Sequence, residues 1–194
     1  HMAQLLADDG NLIVSVSDSK GAVHAPAGLD VSELRAAKRH GESVTSVAGS
    51  AGVSEISGDE LLASDCDVLV LAAVENTVHK GNAGSIKAPL IIELANGPIT
   101  PEADEILEAR NVLILPDILA NAGGVTVSFY EWVQNRQGQS WTLDEVHTRL
   151  KTTMEKQTDA VCAYARDKKI TLRKAAYVLA LARIAAAMEA LLKD

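Results

Sequence analysis

Three short runs of this chain, DVLVLAA (67–73), PLIIEL (89–94) and VLILPD (112–117), are apolar at successive rather than alternate positions. A strand with one face in water alternates apolar and polar residues. A continuous apolar run needs cover on both faces, which helices packed on either side of a parallel sheet provide. Helical patterns do separate these runs. In ITPEADEILEAR (99–110), Thr100 can cap and Pro101 takes the first helical position, where its missing N–H costs nothing. Ser57 and Glu60 in SGDE have the spacing of a capping box ahead of LLAS. Upstream, LIVSVSD (12–18) reads as a strand, VSELRAAKRHG (31–41) as a helix closed by Gly41, and SVTSV (43–47) as a weak strand. The alternation predicts an α/β fold with a doubly wound, mostly parallel sheet, and places DVLVLAA at its centre.

Beyond Gly138 the pattern changes. A Thr142/Glu145 capping box opens one long helix over 141–169. The Ala-rich stretch 170–194 is apolar on most faces, so it is expected to be buried or packed against a partner. His1-Met2 reads as the remnant of a cleaved expression tag, and AQLLADDG after it as the last turns of a helix with no start signal. The expected division is therefore 1–2 tag remnant, 3–138 sheet domain and 139–194 C-terminal helices.

The core is aliphatic, because 47% of the residues are hydrophobic but only 3% are aromatic. A net charge of −8 without a basic stripe argues against nucleic acid and anionic membranes as partners. No apolar run reaches the roughly 18 residues of a membrane span and no signal-peptide pattern opens the chain. Cys66 and Cys162 lie far apart without metal-ligand spacing. A cytoplasmic setting is expected. The histidines are scattered in polar surroundings and read as solvated; no metal site and no nucleophile elbow are visible.

In open α/β sheets ligands bind at the carboxyl ends of strands, and four such ends carry unusual residues. Asp18 in VSVSDSKG suits the ribose hydroxyls of a bound dinucleotide, and equally suits a turn. Ser19 and Lys20 beside it have room for a 2′-phosphate, so NAD over NADP is only a lean. Ala72-Ala73 are small enough to admit a flat ligand, or simply end a strand. Asn96 in ELANGP and Asn121 in PDILANAGG each offer a donor and an acceptor together, the complement of a carboxamide such as that of nicotinamide. The usual G-x-G-x-x-G pyrophosphate turn is absent; AGSAGVSEISG (48–58) has the wrong spacing.

VSDSKGAVHAPAGLD, LAAVENTV, ELANGPITPEADEIL, PDILANAGGVTVSFYEWVQN and LRKAAYVLALARIA resemble, in order and spacing, the C-terminal nucleotide-binding domain of glutamate dehydrogenases. The resemblance spans 3–192 and implies a Rossmann-like fold followed by a C-terminal helical segment. It implies a hexameric enzyme that oxidatively deaminates L-glutamate to 2-oxoglutarate and ammonia with NAD or NADP. It places Asp18 near the adenosine ribose, Ala72 and Ala73 along the cofactor cleft, Asn96 and Asn121 at the nicotinamide, and Val125 and Ser128 toward the substrate.

Against the family pattern, Leu94 stands where a glycine is usual. The N-terminal substrate domain, with its catalytic lysine and aspartate, and the first strand with its glycine-rich turn are not among these residues. No catalytic residue is therefore assigned, and the chain by itself is expected to be inactive. Loss of the first strand is expected to leave unpaired backbone that re-pairing, swapping or loose attachment of 12–18 must resolve, with a homo-oligomer as the outcome. Two other readings stay open. One is a non-catalytic module, a truncated paralogue or fragment that binds a partner subunit through its Ala-rich helix. The other is a dehydrogenase for a different amino acid.

Overall fold

The computed structural model describes residues 1–50 and 52–192. It forms two compact units, His1–Leu69 with Val78–Pro89, and Val70–Thr77 with Leu90–Asp194.

In the first unit a short helix, α1 (Met2–Asp8), precedes an antiparallel sheet of β1 (Ser15–Asp18), β2 (Gly21–His24) and β3 (Ser54–Ile56), in that order. The 12–18 run thus pairs antiparallel with its own continuation instead of joining a parallel sheet. Asp18 faces Gly21 across a two-residue turn, Ser19-Lys20, and the Asp18 carboxylate accepts the Lys20 N–H at 2.9 Å to close it. Gly21 is required there, since a Cβ would lie 2.7 Å from the Thr45 methyl. Helix α2 (Val31–Arg39) starts at Asp30, whose side chain accepts from Ser32 and Glu33 N–H. Its buried face, Leu34 and Ala37, packs with Val23, Val44 and Val47 as this unit's core.

The weak strand expected at 43–47 is instead a 3-10 turn, Val44–Val47, because the Ser43 hydroxyl caps it by accepting from Thr45 N–H. Within AGSAGVSEISG, residues 54–56 form β3, and Ala51 lies outside the described residues. The Ser57/Glu60 capping box is present and opens α3 (Gly58–Leu62).

The three apolar runs become β4 (Val68–Leu71), β5 (Leu90–Glu93) and β6 (Leu113–Leu115), a parallel sheet in the order β4-β5-β6. The centre is β5, not the 67–73 run, and among the described residues β4 and β6 flank it. Val68 is 41% and Leu113 53% exposed, so neither outer strand has the full cover expected of it. An unbroken apolar run tells a strand from a loop but does not rank strands within a sheet.

In the second unit, α4 (Pro101–Ala109) begins with Pro101 after a Thr100 cap, and its Leu107 is fully buried. After β6 come α5 (Asp117–Ala120) and α6 (Ala122–Gln137), so Gly123 and Gly124 lie in a helical turn and not in the loop their pairing suggests. Helix α7 (Leu143–Lys168) carries the Thr142/Glu145 capping box. The Tyr130 hydroxyl of α6 meets Thr153 Oγ1 of α7 at 2.8 Å. Helix α8 (Leu172–Leu191) buries only Ala175 and Ala176, which pack with Leu119, Val161 and Ala165. Beyond Ala180 every described residue of α8 is exposed, including Leu181, Ile184 and Met188. Of the two expectations for this stretch, burial or packing against a partner, burial within the chain is thus met among the described residues only near the start of α8; Lys193 and Asp194 lie outside the described residues.

Replacing Leu107 by Ala should cost about 2–5 kcal/mol of unfolding free energy, whereas Thr142→Ala should cost only about 1 kcal/mol for a lost cap. Urea unfolding followed by circular dichroism checks both values and their order.

Candidate functional site

The second unit gathers the end of β5, the loop after β4 and the start of α6 through backbone and carboxylate bonds. Leu94 and Ala95 N–H both donate to the Leu71 carbonyl at 2.9 Å, which carries the chain off β5 alongside the end of β4. Asn76, at φ +55°, donates its N–H to the Gly97 carbonyl at 2.9 Å. Gly97, at φ +52°, donates its own N–H to Asp117 Oδ2 at 2.8 Å. The Asn-Gly-Pro turn is thus held from both sides.

Asn121 closes α5 and precedes α6. Its Nδ2 donates to Asn96 Oδ1 at 2.8 Å and to the Leu94 carbonyl at 3.4 Å. The two asparagines, 25 residues apart in sequence, therefore form one amide pair. Among the described residues no bond is made by Asn121 Oδ1 or Asn96 Nδ2, which leaves one acceptor and one donor of the pair available. That combination matches a carboxamide. Leu94 takes part through its backbone N–H and carbonyl.

The first turns of α6 beside Asn121 are bare. A Cβ at Gly124 would meet nothing within 4 Å, and one at Gly123 only Leu150 Cδ1 at 3.9 Å. The glycines thus leave an unshielded helix surface next to the amides. Val125 is 70% exposed. Ser128, one turn on, is exposed and donates its hydroxyl to the Gly124 carbonyl at 3.2 Å. Val125 and Ser128 share a helix face by their spacing. Ala72 and Ala73 are exposed just past the end of β4.

Beneath the amide pair lies a cluster that sequence reasoning missed. Glu93, the last residue of β5, is 0% exposed. Arg173, in the first turn of α8, grips it with two parallel bonds, Nη2 to Oε1 at 2.8 Å and Nη1 to Oε2 at 2.9 Å. Arg173 Nε also reaches Asp104 Oδ2 at 3.0 Å, and Nη1 lies 3.5 Å from Asp117 Oδ1. Burial works against the charged guanidinium, but its bonds to Glu93 and Asp104 outweigh that and hold Arg173 more firmly protonated than usual. Glu93 Oε2 also accepts the Asp117 N–H at 2.8 Å. The available signals were an acid ending an apolar strand and an arginine near the start of an Ala-rich helix.

In the first unit, Asp18 is 13% exposed at its side chain and already fully engaged. Oδ1 accepts from Lys20 N–H and the Ser43 hydroxyl; Oδ2 accepts from Val44 N–H and Lys38 Nζ at 2.8 Å. Burial alone would raise its pKa, but Lys38 and the three other donors hold the carboxyl far below the usual range. Ser19 and Lys20 are exposed beside it, and an open cleft of about 650 Å³ runs from Asp18 past Gly21 to Glu55, Gly58 and Glu60. That volume suits a small organic group.

Of the histidines expected to be solvated, His24 is half-buried with Nδ1 2.7 Å from Ser15 Oγ, whereas His79 is exposed and its Nδ1 accepts from Gly81 N–H. Both cysteines are free and half-buried, and burial together with Asp65 and Asp67 pushes the Cys66 thiol up. No group of three or more metal-ligating side chains occurs among the described residues, and no described helix is long and apolar enough to cross a membrane.

The sequence profile of the glutamate/leucine/phenylalanine/valine dehydrogenases matches residues 1–191. The chain belongs to this family. A glutamate dehydrogenase of Thermotoga maritima is 49% identical over 177 residues, covering 91% of this chain and 42% of that protein. An NADP-specific glutamate dehydrogenase of Halobacterium salinarum is 46% identical, covering 96% and 45%. An NAD-specific enzyme of Staphylococcus aureus is 44% identical, covering 96% and 44%. The hetero-hexameric glutamate dehydrogenase of Thermus thermophilus superposes with a TM-score of 0.83 at 34% identity, over 93% of this chain and 42% of that one. The chain therefore spans less than half the length of the dehydrogenases it matches.

The depressed Asp18 pKa has a definite consequence for this dehydrogenase-family chain. The unfolded carboxyl titrates near pH 4, so stability from Asp18 is complete above that pH and is lost as pH falls toward its folded value. Asp18→Asn should lower the melting temperature at pH 7 and weaken its dependence on pH below about 4. Thermal melts of both proteins from pH 2 to 8 check this; parallel acid limbs would contradict it.

Proposed function

We propose that this chain is the nucleotide-binding part of an NAD(P)-dependent glutamate dehydrogenase, which converts L-glutamate to 2-oxoglutarate and ammonia. The observation that carries the reading is the Asn96–Asn121 pair, which presents one donor and one acceptor at the end of β5 beside the exposed Gly124. When bound, NAD or NADP supplies the hydride acceptor.

In this reading Asn96 Nδ2 donates to a carboxamide oxygen and Asn121 Oδ1 accepts from its NH₂, fixing the ring plane. Ala72 and Ala73 leave room for the cofactor; at its adenosine end Asp18 accepts a ribose hydroxyl only in exchange for one of its four present donors, and Ser19 lies exposed beside it. Val125 keeps water from the reacting face, and Ser128 offers a hydroxyl to the substrate. Asp18 disfavours a 2′-phosphate by its charge, but Lys38 at 2.8 Å offsets that charge, so both NAD and NADP remain admissible. The relatives include enzymes named for each cofactor.

None of these side chains is a general acid or base for the amine, and positioning alone does not replace one. The chain by itself should show negligible turnover with glutamate and NAD; robust steady-state turnover would overturn this. It should bind NAD more weakly than low-micromolar, and Asn121→Ala should weaken binding about tenfold further through lost carboxamide bonds. Calorimetric titration reads both, and an unchanged affinity for Asn121→Ala would sink the nicotinamide assignment.

A second reading, an interaction module, is favoured by the exposed apolar residues Leu181, Ile184 and Met188 of α8. It shares with the first the expectation of a homo-oligomer. Light scattering after gel filtration should give a dimer or larger species, and Leu181→Glu should shift it toward monomer.

A further inference from the structure

The Asn96–Asn121 pair depends on backbone that neither asparagine controls. Asn96 sits next to Gly97, whose N–H is held by Asp117 Oδ2 at 2.8 Å. Asn121 donates its backbone N–H to the Asp117 carbonyl at 3.1 Å and ends the helical turn that Asp117 begins. Asp117 is thus bonded on both sides of the pair. Its own N–H is fixed at 2.8 Å by Glu93 Oε2, and Arg173 holds Glu93 by two bonds while Nη1 reaches Asp117 Oδ1. One guanidinium, anchored also by Asp104, therefore fixes Glu93 and reaches Asp117, whose Oδ1 also accepts the Ile118 N–H at 2.7 Å.

Geometry favours arginine over any other cation here. A planar fork meets Glu93 in bidentate fashion and still has Nε for Asp104, whereas an ammonium is a point charge without that directionality. Burial of Glu93 makes the arrangement stiff, because a desolvated carboxylate held by two charge-assisted bonds does not exchange partners with water.

We propose that Arg173 is a positioning residue for the Asn96–Asn121 pair, acting through Glu93 and Asp117. This rests on the assignment of that pair to a carboxamide. Removing the guanidinium takes Nη1 from Asp117 Oδ1 at 3.5 Å and both bonds from Glu93, whose Oε2 holds the Asp117 N–H. Asp117 then keeps only the Ile118 N–H on Oδ1 at 2.7 Å and the Gly97 N–H on Oδ2, and the backbone that carries both amides loses its anchor on Glu93. The effect is confined to the nicotinamide end, since Asp18 and its donors contain none of these residues.

The test uses the 194-residue chain labelled with nitrogen-15, with nicotinamide mononucleotide and AMP as separate probes, because chemical-shift titration reads millimolar affinities. Arg173→Met should weaken nicotinamide mononucleotide about tenfold and AMP by no more than about twofold, and should shift the Asn96 and Asn121 side-chain amide signals without ligand. Arg173→Met strands a buried carboxylate; if it does not fold, Asp117→Ala decides, because it cuts the link to Gly97 and leaves Arg173 on Glu93 and Asp104. The same selective loss is expected of it.

Equal weakening of both probes would reduce Arg173 to a structural role and overturn the proposal. No change in either variant, with Asn121→Ala weakening nicotinamide mononucleotide, would overturn the positioning role and leave the carboxamide assignment standing. If Asn121→Ala also has no effect, or the unaltered chain does not bind nicotinamide mononucleotide, the assignment fails and the proposal with it.

Discussion

A carboxylate with no exposure to water, Glu93, sits at the end of the central strand of the parallel sheet, and the second unit is arranged around satisfying it. A buried charge without a partner costs several kcal/mol, so its two oxygens demand matched donors. Arg173 supplies a fork and Asp117 a backbone N–H. That requirement brings the first turn of α8 to the end of β5, and the packing of Ala175 and Ala176 with Leu119, Val161 and Ala165 follows. Small side chains suit that place because they let α8 approach closely where the ion cluster has already fixed its N-terminus.

The same cluster explains how two asparagine side chains 25 residues apart come to bond each other at 2.8 Å. Amides on exposed turns ordinarily sample several rotamers. Here both flank Asp117, and Gly97 and Asn76 take positive φ to complete the turn. The first turn of α6 contributes by what it lacks: Gly124 is exposed, and a Cβ there would meet nothing within 4 Å. Paired charges, two bonded amides and a glycine-bearing helix start thus meet at one end of an otherwise aliphatic sheet.

The first unit solves the problem of a carboxylate at a strand end by other means. Asp18 is satisfied locally, by its own turn, by the 3-10 turn after Ser43 and by Lys38. Both readings of Asp18 drawn from the sequence were physically sound, and its four bonds show that the turn-building one is realised whatever else the residue does. Strands were legible as runs, but their partners were not. The 12–18 run carries no mark of antiparallel pairing beyond the short Ser19-Lys20 turn, and SVTSV has a strand's composition yet yields to a serine cap. Gly123-Gly124 lie within α6 although glycine disfavours helices, a preference of only about 1 kcal/mol per residue.

The sequence alone determined the α/β class, the helix starts at Ser57, Thr100 and Thr142, the two asparagines and the family, because each rests on local chemistry or on residue order. Only the tertiary structure decided that β5 is central, that the asparagines 25 residues apart bond to each other, and that Arg173 lies 80 residues from the Glu93 it neutralises. Those facts depend on which distant groups must share a buried charge or a hydrogen bond. Such pairings are settled by the cost of leaving a polar group unpaired, which no local window of sequence contains.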